Sequence, residues 1–523
     1  MSAPSLVASH LPASLTSSAE TLRGDAAYEV LQARDARFDG RLFVGVTSTG
    51  VYCRPVCRVR LPKRENCRFF NQAAQAEAGG FRPCLRCRPE LAPGLSLTDS
   101  SDVLAAQAAR WLAQAAQDGD DPAMPALAAR LGVTDRHLRR IFLRAHGVTP
   151  ISWLTTQRLL LAKQLLTDTA LPVQAVALAA GFGSLRRFNA AFAGHYRMNP
   201  TRLRQARIGA SPQPAATPEA AQLRLAWRPP YDLAGVLHFA GARALPGVEQ
   251  VDGLSIRRTL SLQHQGQALA GWLSAVFVPS RCELHLSLAP ALMPAAAALL
   301  ARTRQALDLD ADPSRIDAAL ALGPPLPVPW VAGVRLPSGW DGFEIAVRVI
   351  LGQQVTVAAA RTLTRRLVER FGLPIATPFS GLDRLFPTPA ALAGASAESI
   401  GTLGIVRQRV AALQALAAAV SDGRLNLHRA APLQATLDAL RARPGIGDWS
   451  AQLIAMRALA WPDAWPATDI AVLNALRPLT GGERHAARAS ALSEGWRPWR
   501  AYAVMRLWRS LEPPPALTGD GSP

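Results

Sequence analysis

The chain has 523 residues, 49% of them hydrophobic, which is long enough for three or four domains with cores of their own and excludes global disorder. Its net charge of +19 points to a polyanionic partner, and its apolar runs fall short of the ~20 residues that a bilayer-spanning helix needs. The stretch MSAPSLVASHLPASLTSSAE has no basic residue ahead of its weakly apolar part, so a cytoplasmic protein is predicted, in which clustered cysteines bind metal or react more often than they form disulfides.

The charge is concentrated. Residues 41–88 hold ten Lys/Arg against Glu65 and Glu77, and residues 121–207 hold thirteen against Asp121, Asp135 and Asp168, so the two stretches carry +18 of the +19. Double-stranded DNA should dock on the N-terminal half by charge, and on the near-neutral C-terminal half by shape and local contacts. Only Lys63 and Lys163 are lysines; in so alanine-rich a chain the arginine preference reflects base composition as readily as function.

In chain order, a first unit over 26–97 carries five of the six cysteines, spaced Cys53-x3-Cys57 and Cys84-x2-Cys87, with Cys67 between the pairs. Two close pairs separated by a loop can bring four thiolates together tetrahedrally, the geometry Zn2+ accepts. On spacing alone they can be structural and inert, and Cys67 reads as a small buried thiol. The second unit, 98–207, is a run of helical patterns. Over 125–150 a helix, a turn at Gly132 and a second helix with Arg136, Arg139 and Arg140 on its polar side follow one another; over 173–205 the pattern recurs, with its turn at Gly181–Phe182. This is the helix-turn-helix pattern, whose second helix can enter a major groove. Arg136, Arg139, Arg186 and Arg187 are the DNA-contact candidates, and Phe182, Phe188 and Phe192 are expected in the core.

Residues 208–222, rich in Ala, Pro and Ser, read as a linker. Residues 223–333 mix alternating segments such as LSIRRTLSL with an Ala/Leu-rich helix near 290–306, a small α+β domain, and 334–510 are almost wholly helical. In ARPGIGDWSAQLIAMRAL (442–459), Gly445 and Gly447 stand two apart between helical stretches. Such a hairpin lets backbone N–H groups approach a phosphate that a side chain would obstruct. Asp469, in WPATDIAVLNAL, stands at the predicted start of a helix, a position that also suits a plain N-cap.

Three resemblances follow from these motifs. From GVTSTGVYCRPVCRVRLPKRENC to GFRPCLRCRPE the first unit resembles the zinc domain of Ada-type adaptive-response proteins. That resemblance implies one Zn2+ on Cys53, Cys57, Cys84 and Cys87, with Cys53 taking a methyl group irreversibly from a methylated DNA phosphate. The tandem helix-turn-helix, with AAGFGS and RRFNAAF at its second turn, resembles the AraC-type regulators. From WRPPYD (227–232) through AVRVILGQQVTVAAA (346–360) to Trp508, the remainder resembles the helix-hairpin-helix 3-methyladenine DNA glycosylases. This implies that Asp469 is the catalytic carboxylate, that Trp449 and Trp508 line the pocket for a flipped base, and that Gln354 fills the vacated stack. Leu453 stands where some relatives have an aromatic, and Gln354 is polar where others insert leucine.

The fold expected is therefore multidomain and mainly α: a small zinc α/β domain, a tandem helix-turn-helix domain, a small α+β domain and an all-α helix-hairpin-helix glycosylase domain over 334–510. Alkylated DNA and promoter DNA are the implied partners, with RNA polymerase, for a monomeric protein. A regulator whose glycosylase half binds without catalysis is the competing reading. The absence of lysine after Lys163 speaks against a strand-nicking lyase, and the absence of cysteine after Cys282 against an iron–sulfur cluster. No Pro-Cys-His-Arg segment of the O6-alkylguanine transferase kind is present.

Overall fold

The computed structural model describes residues 24–34, 42–70, 79–84, 86–87, 123–169, 171–208, 221–429 and 431–511, with a few residues between 76 and 116 besides. Of the expected linker 208–222, residues 209–220 lie outside the described residues, as do the N-terminal 23, while Ile208 ends the helix Pro200–Ile208 and Ala221 opens the strand Ala221–Ala226. The chain forms two compact units, Met1–Ala109 with Ala123–Pro150, and Arg110–Pro122 with Ile151–Pro523. Among the described residues no helix is long and apolar enough to cross a membrane.

In the first unit a four-stranded sheet runs in the order Cys67–Phe70, Phe43–Val46, Val51–Cys53, Arg82–Pro83, antiparallel except for its last pair. Phe43, Tyr52, Ala76 and Phe81 form a small core on it. Helices Met124–Arg130 and Asp135–His146 belong to the same unit. The turn between them needs a left-handed residue and has Gly132 at φ 68°. Thr134 then caps the second helix, accepting from His137 N at 3.2 Å, and Leu138, Ile141 and Phe142 form its buried stripe.

The long helix Pro150–Asp168, from Ile151 onward part of the second unit, leads into a repeat of that construction: helix Val173–Ala179, Gly181 at φ 77°, and helix Leu185–Tyr196 capped by Ser184, which accepts from Arg187 N at 3.2 Å. Phe182, Phe188 and Phe192 are buried, as the spacing predicts. A five-stranded antiparallel sheet follows, in the order Ala221–Ala226, Glu283–Leu288, Gln267–Val278, Ser255–His264, Glu249–Asp252. Its alternation is plain in Glu283–Leu288, where Leu284, Leu286 and Leu288 are buried and their neighbours half-buried.

The helical remainder has a core of its own, running through Phe343–Leu351, Leu413–Ala417 and Ile454–Met456. A buried ring of charges joins it to the sheet. Arg258 donates to Glu249 at 2.9 Å and to Glu344 at 2.6 Å, and Arg348 donates to Glu249 at 2.7 Å and to Glu344. With every charge paired, the ring holds helix Gly342–Leu351 in place, and that helix leads directly into Gln353 and Gln354.

A second buried carboxylate behaves differently. Asp308 Oδ2 accepts from Leu336 N at 3.0 Å and Tyr502 OH at 2.9 Å, and burial pushes its carboxyl up to about 6. The folded chain therefore holds this proton more tightly than the unfolded chain does. The stability it contributes is complete below about pH 4 and is lost as pH rises through about 6. Asp308→Asn keeps an acceptor for both donors, and asparagine tolerates the φ of 51° found here. The variant is expected to equal wild type at pH 4 and to gain on the order of 2 kcal/mol at pH 8, read from denaturant midpoints of the unfolding transition across that range.

Candidate functional sites

Strand pairing builds the cysteine cluster. Cys53 ends the strand Val51–Cys53, and Cys84 N donates to Tyr52 O at 3.0 Å just past the adjoining strand Arg82–Pro83. Cys57 lies one turn beyond the first strand, its N–H donating to Arg54 O at 3.1 Å, and Cys87 lies just beyond the second. The sulfurs of Cys53, Cys57, Cys84 and Cys87 thus fall within 4.8 Å of one another, and all four residues are buried. A tetrahedron built on ~2.3 Å Zn–S bonds has an edge of about 3.8 Å, so one Zn2+ fits this donor set. Cys67 is buried outside the cluster and donates to Lys63 O at 3.3 Å.

Electrostatics favour the same conclusion. Hydrogen bonds from Cys53 and Cys87 hold the Cys57 thiol down at about 2, whereas Cys53 is pushed far above the ordinary cysteine range by its hydrogen bonds to Cys57 and Cys87 and by burial. Sulfurs this close together resist full ionisation of the bare cluster. A bound divalent cation removes that resistance. Arg58, Arg82 and Arg86, close in the chain to the cysteines, are exposed, as are Arg60, Lys63 and Arg68 of the same unit, while Arg54, next to Cys53, is fully buried.

Of the DNA-contact candidates, Arg136, Arg186 and Arg187 are exposed in the first turns of their helices, and Arg139 pairs with Asp135 at 2.9 Å. Arg140 stands beside His137, its Nη2 2.9 Å from the ring Nδ1.

In the helical domain, Leu433–Arg441 and Asp448–Arg457 flank the hairpin. Gly445 has φ 73°, and a Cβ there would meet Ala412 Cβ at 3.0 Å; one at Gly447 would point into open space. Gln353 Nε2 donates to Gly445 O at 2.8 Å and to Ser450 Oγ at 2.9 Å, tying the hairpin to the turn that carries Gln354. Gln354 is exposed with φ 54°.

Asp469 is the N-cap of helix Ile470–Ala475, 8% exposed, and its carboxylate takes three N–H donors. Val472 N and Trp508 Nε1 each donate to Oδ1 at 3.0 Å, and Trp449 Nε1 donates to Oδ2 at 3.0 Å. The structure thus brings Trp449, Trp508 and Asp469 together from three separate helices. Trp508 also faces Phe239, with nearly parallel rings (10°) and centroids 6.4 Å apart. Both line a cavity with Val236, Arg243, Pro337 and Met505; Asp469, Trp449 and the buried Leu453 are not among its lining residues. Arg509, next to Trp508, donates to Asp232 Oδ2 at 2.6 Å, which clamps the C-terminal helix to the helix bearing Phe239.

Family models match along the chain as follows: the metal binding domain of Ada over residues 26–90, a helix-turn-helix domain over 127–206, the AlkA N-terminal domain over 222–341, and the HhH-GPD superfamily of base excision DNA repair proteins over 347–501. A protein of Mycobacterium tuberculosis described as a probable bifunctional transcriptional activator/DNA repair enzyme AlkA is 38% identical over 93% of this chain and 96% of its own length. The chain belongs to that bifunctional AlkA family. Two shorter relatives divide its length. The Escherichia coli DNA-3-methyladenine glycosylase 2 is 33% identical over 54% of this chain and 95% of its own length. The Escherichia coli bifunctional transcriptional activator/DNA repair enzyme Ada is 38% identical over 26% of this chain and 36% of its own length.

In this AlkA-family chain two features escaped the reading of the sequence. Phe239 sits in an ordinary amphipathic helix, and only the packing of the C-terminal helix turns it toward Trp508. Gln353 is overshadowed by its neighbour Gln354 in LGQQVT, and its role depends on a hairpin far along the chain.

Proposed function

We propose that the chain repairs alkylated DNA by two chemistries and reports one of them to transcription. In the first, the Cys53 sulfur attacks the methyl carbon of a DNA methylphosphotriester. The new S–C bond forms as the C–O bond breaks, and the electron pair returns to the phosphate as a phosphodiester. Bound Zn2+ supplies the chemistry that keeps the sulfur a thiolate at neutral pH, held by Cys53, Cys57, Cys84 and Cys87. The exposed arginines around the cluster attract the backbone. Methylation turns a thiolate into a neutral thioether, and the loss of that negative charge beside phosphate strengthens promoter binding by the helix-turn-helix segments.

In the second chemistry, a flipped alkylated purine such as 3-methyladenine leaves with the electron pair of its N-glycosidic bond, and water adds to the sugar. Asp469 stabilises the cationic sugar and orients that water, while Gln354 fills the gap in the stack. The aromatic faces of Trp449 and Trp508 line the pocket and stack on an electron-poor base. The observation that carries this reading is the Asp469 carboxylate held by two indole N–H groups and a backbone N–H. The domain holds no lysine, so the product is an intact abasic strand without a Schiff-base adduct. The protein works as a cytoplasmic monomer, and RNA polymerase is the partner of its promoter-bound form.

Incubation with radiomethylated duplex, counting protein-bound methyl and released base separately, tests both chemistries. Label is expected in both fractions. Label in the protein alone would leave a regulator with a non-catalytic glycosylase half, and label in the free bases alone would leave a structural zinc module.

A further inference from the structure

The second helix-turn-helix does not stand apart from the glycosylase half. Leu159, Leu165 and Val176 belong to one contiguous buried cluster with Leu223, Leu225 and Leu292 of the sheet domain. Helix Val173–Ala179 packs on the 3-10 segment Pro290–Ala295. Gln164 Nε2 donates to Arg224 O at 2.7 Å, on the edge strand Ala221–Ala226, whose backbone would otherwise be open on that side. The first helix-turn-helix, by contrast, belongs to the unit that holds the zinc cluster.

Domains joined only by a linker move independently unless their interface is large and apolar. Here the interface is an apolar core, closed by a polar bond to an edge strand. It also leaves the opposite side open: Arg186, Arg187, Asn189 and Ala190 on helix Leu185–Tyr196 are exposed.

We propose that the second helix-turn-helix is a fixed DNA-holding arm of the glycosylase half, docked on its sheet domain, so that duplex gripped by Leu185–Tyr196 is presented to the excision site of the same molecule. This rests on Leu185–Tyr196 being a recognition helix, as proposed above. The arm would bind the duplex through phosphates, so it would act on any sequence that carries a lesion. Docking removes the positional freedom that independently moving domains would have, and so raises the effective concentration of DNA at the site.

The test uses the full chain with a protease recognition sequence placed within 210–220. After cutting, the two pieces are expected to elute together, and to do so at high salt, because the interface is apolar. Separation on cutting would overturn the docking. In the cut protein, Arg186→Ala with Arg187→Ala is then expected to raise KM for base release several-fold on a long lesion-bearing duplex, with a shallower salt dependence. Weaker promoter binding with an unchanged KM would overturn the coupling and spare the recognition helix. If promoter binding and KM were both unchanged, the assignment of the recognition helix itself would fall.

Discussion

Asp469→Asn is expected to cut single-turnover release of 3-methyladenine at least a hundredfold while damaged-DNA binding stays nearly constant. Removing one preorganised charge from opposite a developing cation costs roughly 10²–10³ in rate. Asparagine keeps the size of aspartate and the cap on Val472, so a residue that did no more than cap the helix would tolerate the change well. The site adds a complication that can be used. Oδ1 serves Val472 and Trp508, so the amide NH2 must face Trp449 Nε1, donor against donor. That mismatch is expected to cost on the order of 1–3 kcal/mol in stability. Trp449→Phe removes the opposing donor, and the double variant is expected to recover melting temperature without recovering base release. Rates that follow stability across the three variants, or a single variant within tenfold of wild type, would take Asp469 out of the chemistry.

Cys53→Ala is expected to abolish methyl uptake from DNA phosphate and to leave base excision intact, since Asp469 belongs to a separate compact unit. Intact-protein mass after reaction with methylated duplex reads it directly: wild type gains one methyl, the variant none. Methyl found on another cysteine would reassign the acceptor. Cys57→Ala is expected to be worse for the fold of this unit. Cys57 is a ligand that the methyl transfer does not consume, so its loss removes a permanent metal ligand. Metal content and melting of the N-terminal unit should fall further for Cys57→Ala than for Cys53→Ala. Chelation before DNA is added should stop methyl uptake and spare excision.

Local chemistry made much of this molecule legible. Two cysteine pairs with a loop between them can do little else in a small domain but converge, and strand ends bring them within 4.8 Å. Gly132 and Gly181 mark both helix-turn-helix turns because a left-handed residue is required there, and Phe188 and Phe192, four apart on Leu185–Tyr196, are core because that spacing makes one face. The N-cap at Asp469 is likewise a matter of neighbouring residues.

What tertiary structure alone decided is which groups meet across long stretches of chain. The sequence offered Trp449 and Trp508 as pocket faces through a family likeness; their indole N–H groups turn out to grip the Asp469 carboxylate, and Phe239 comes from another domain to stack on Trp508. Nor did any local pattern announce that the second helix-turn-helix shares a core with the sheet domain, since Leu165 and Val176 are apolar whichever surface buries them. The physical reason is common to these cases. Spacing within a helix or strand determines which face is apolar, but burial is non-directional, so the partner of that face is chosen only when whole elements pack.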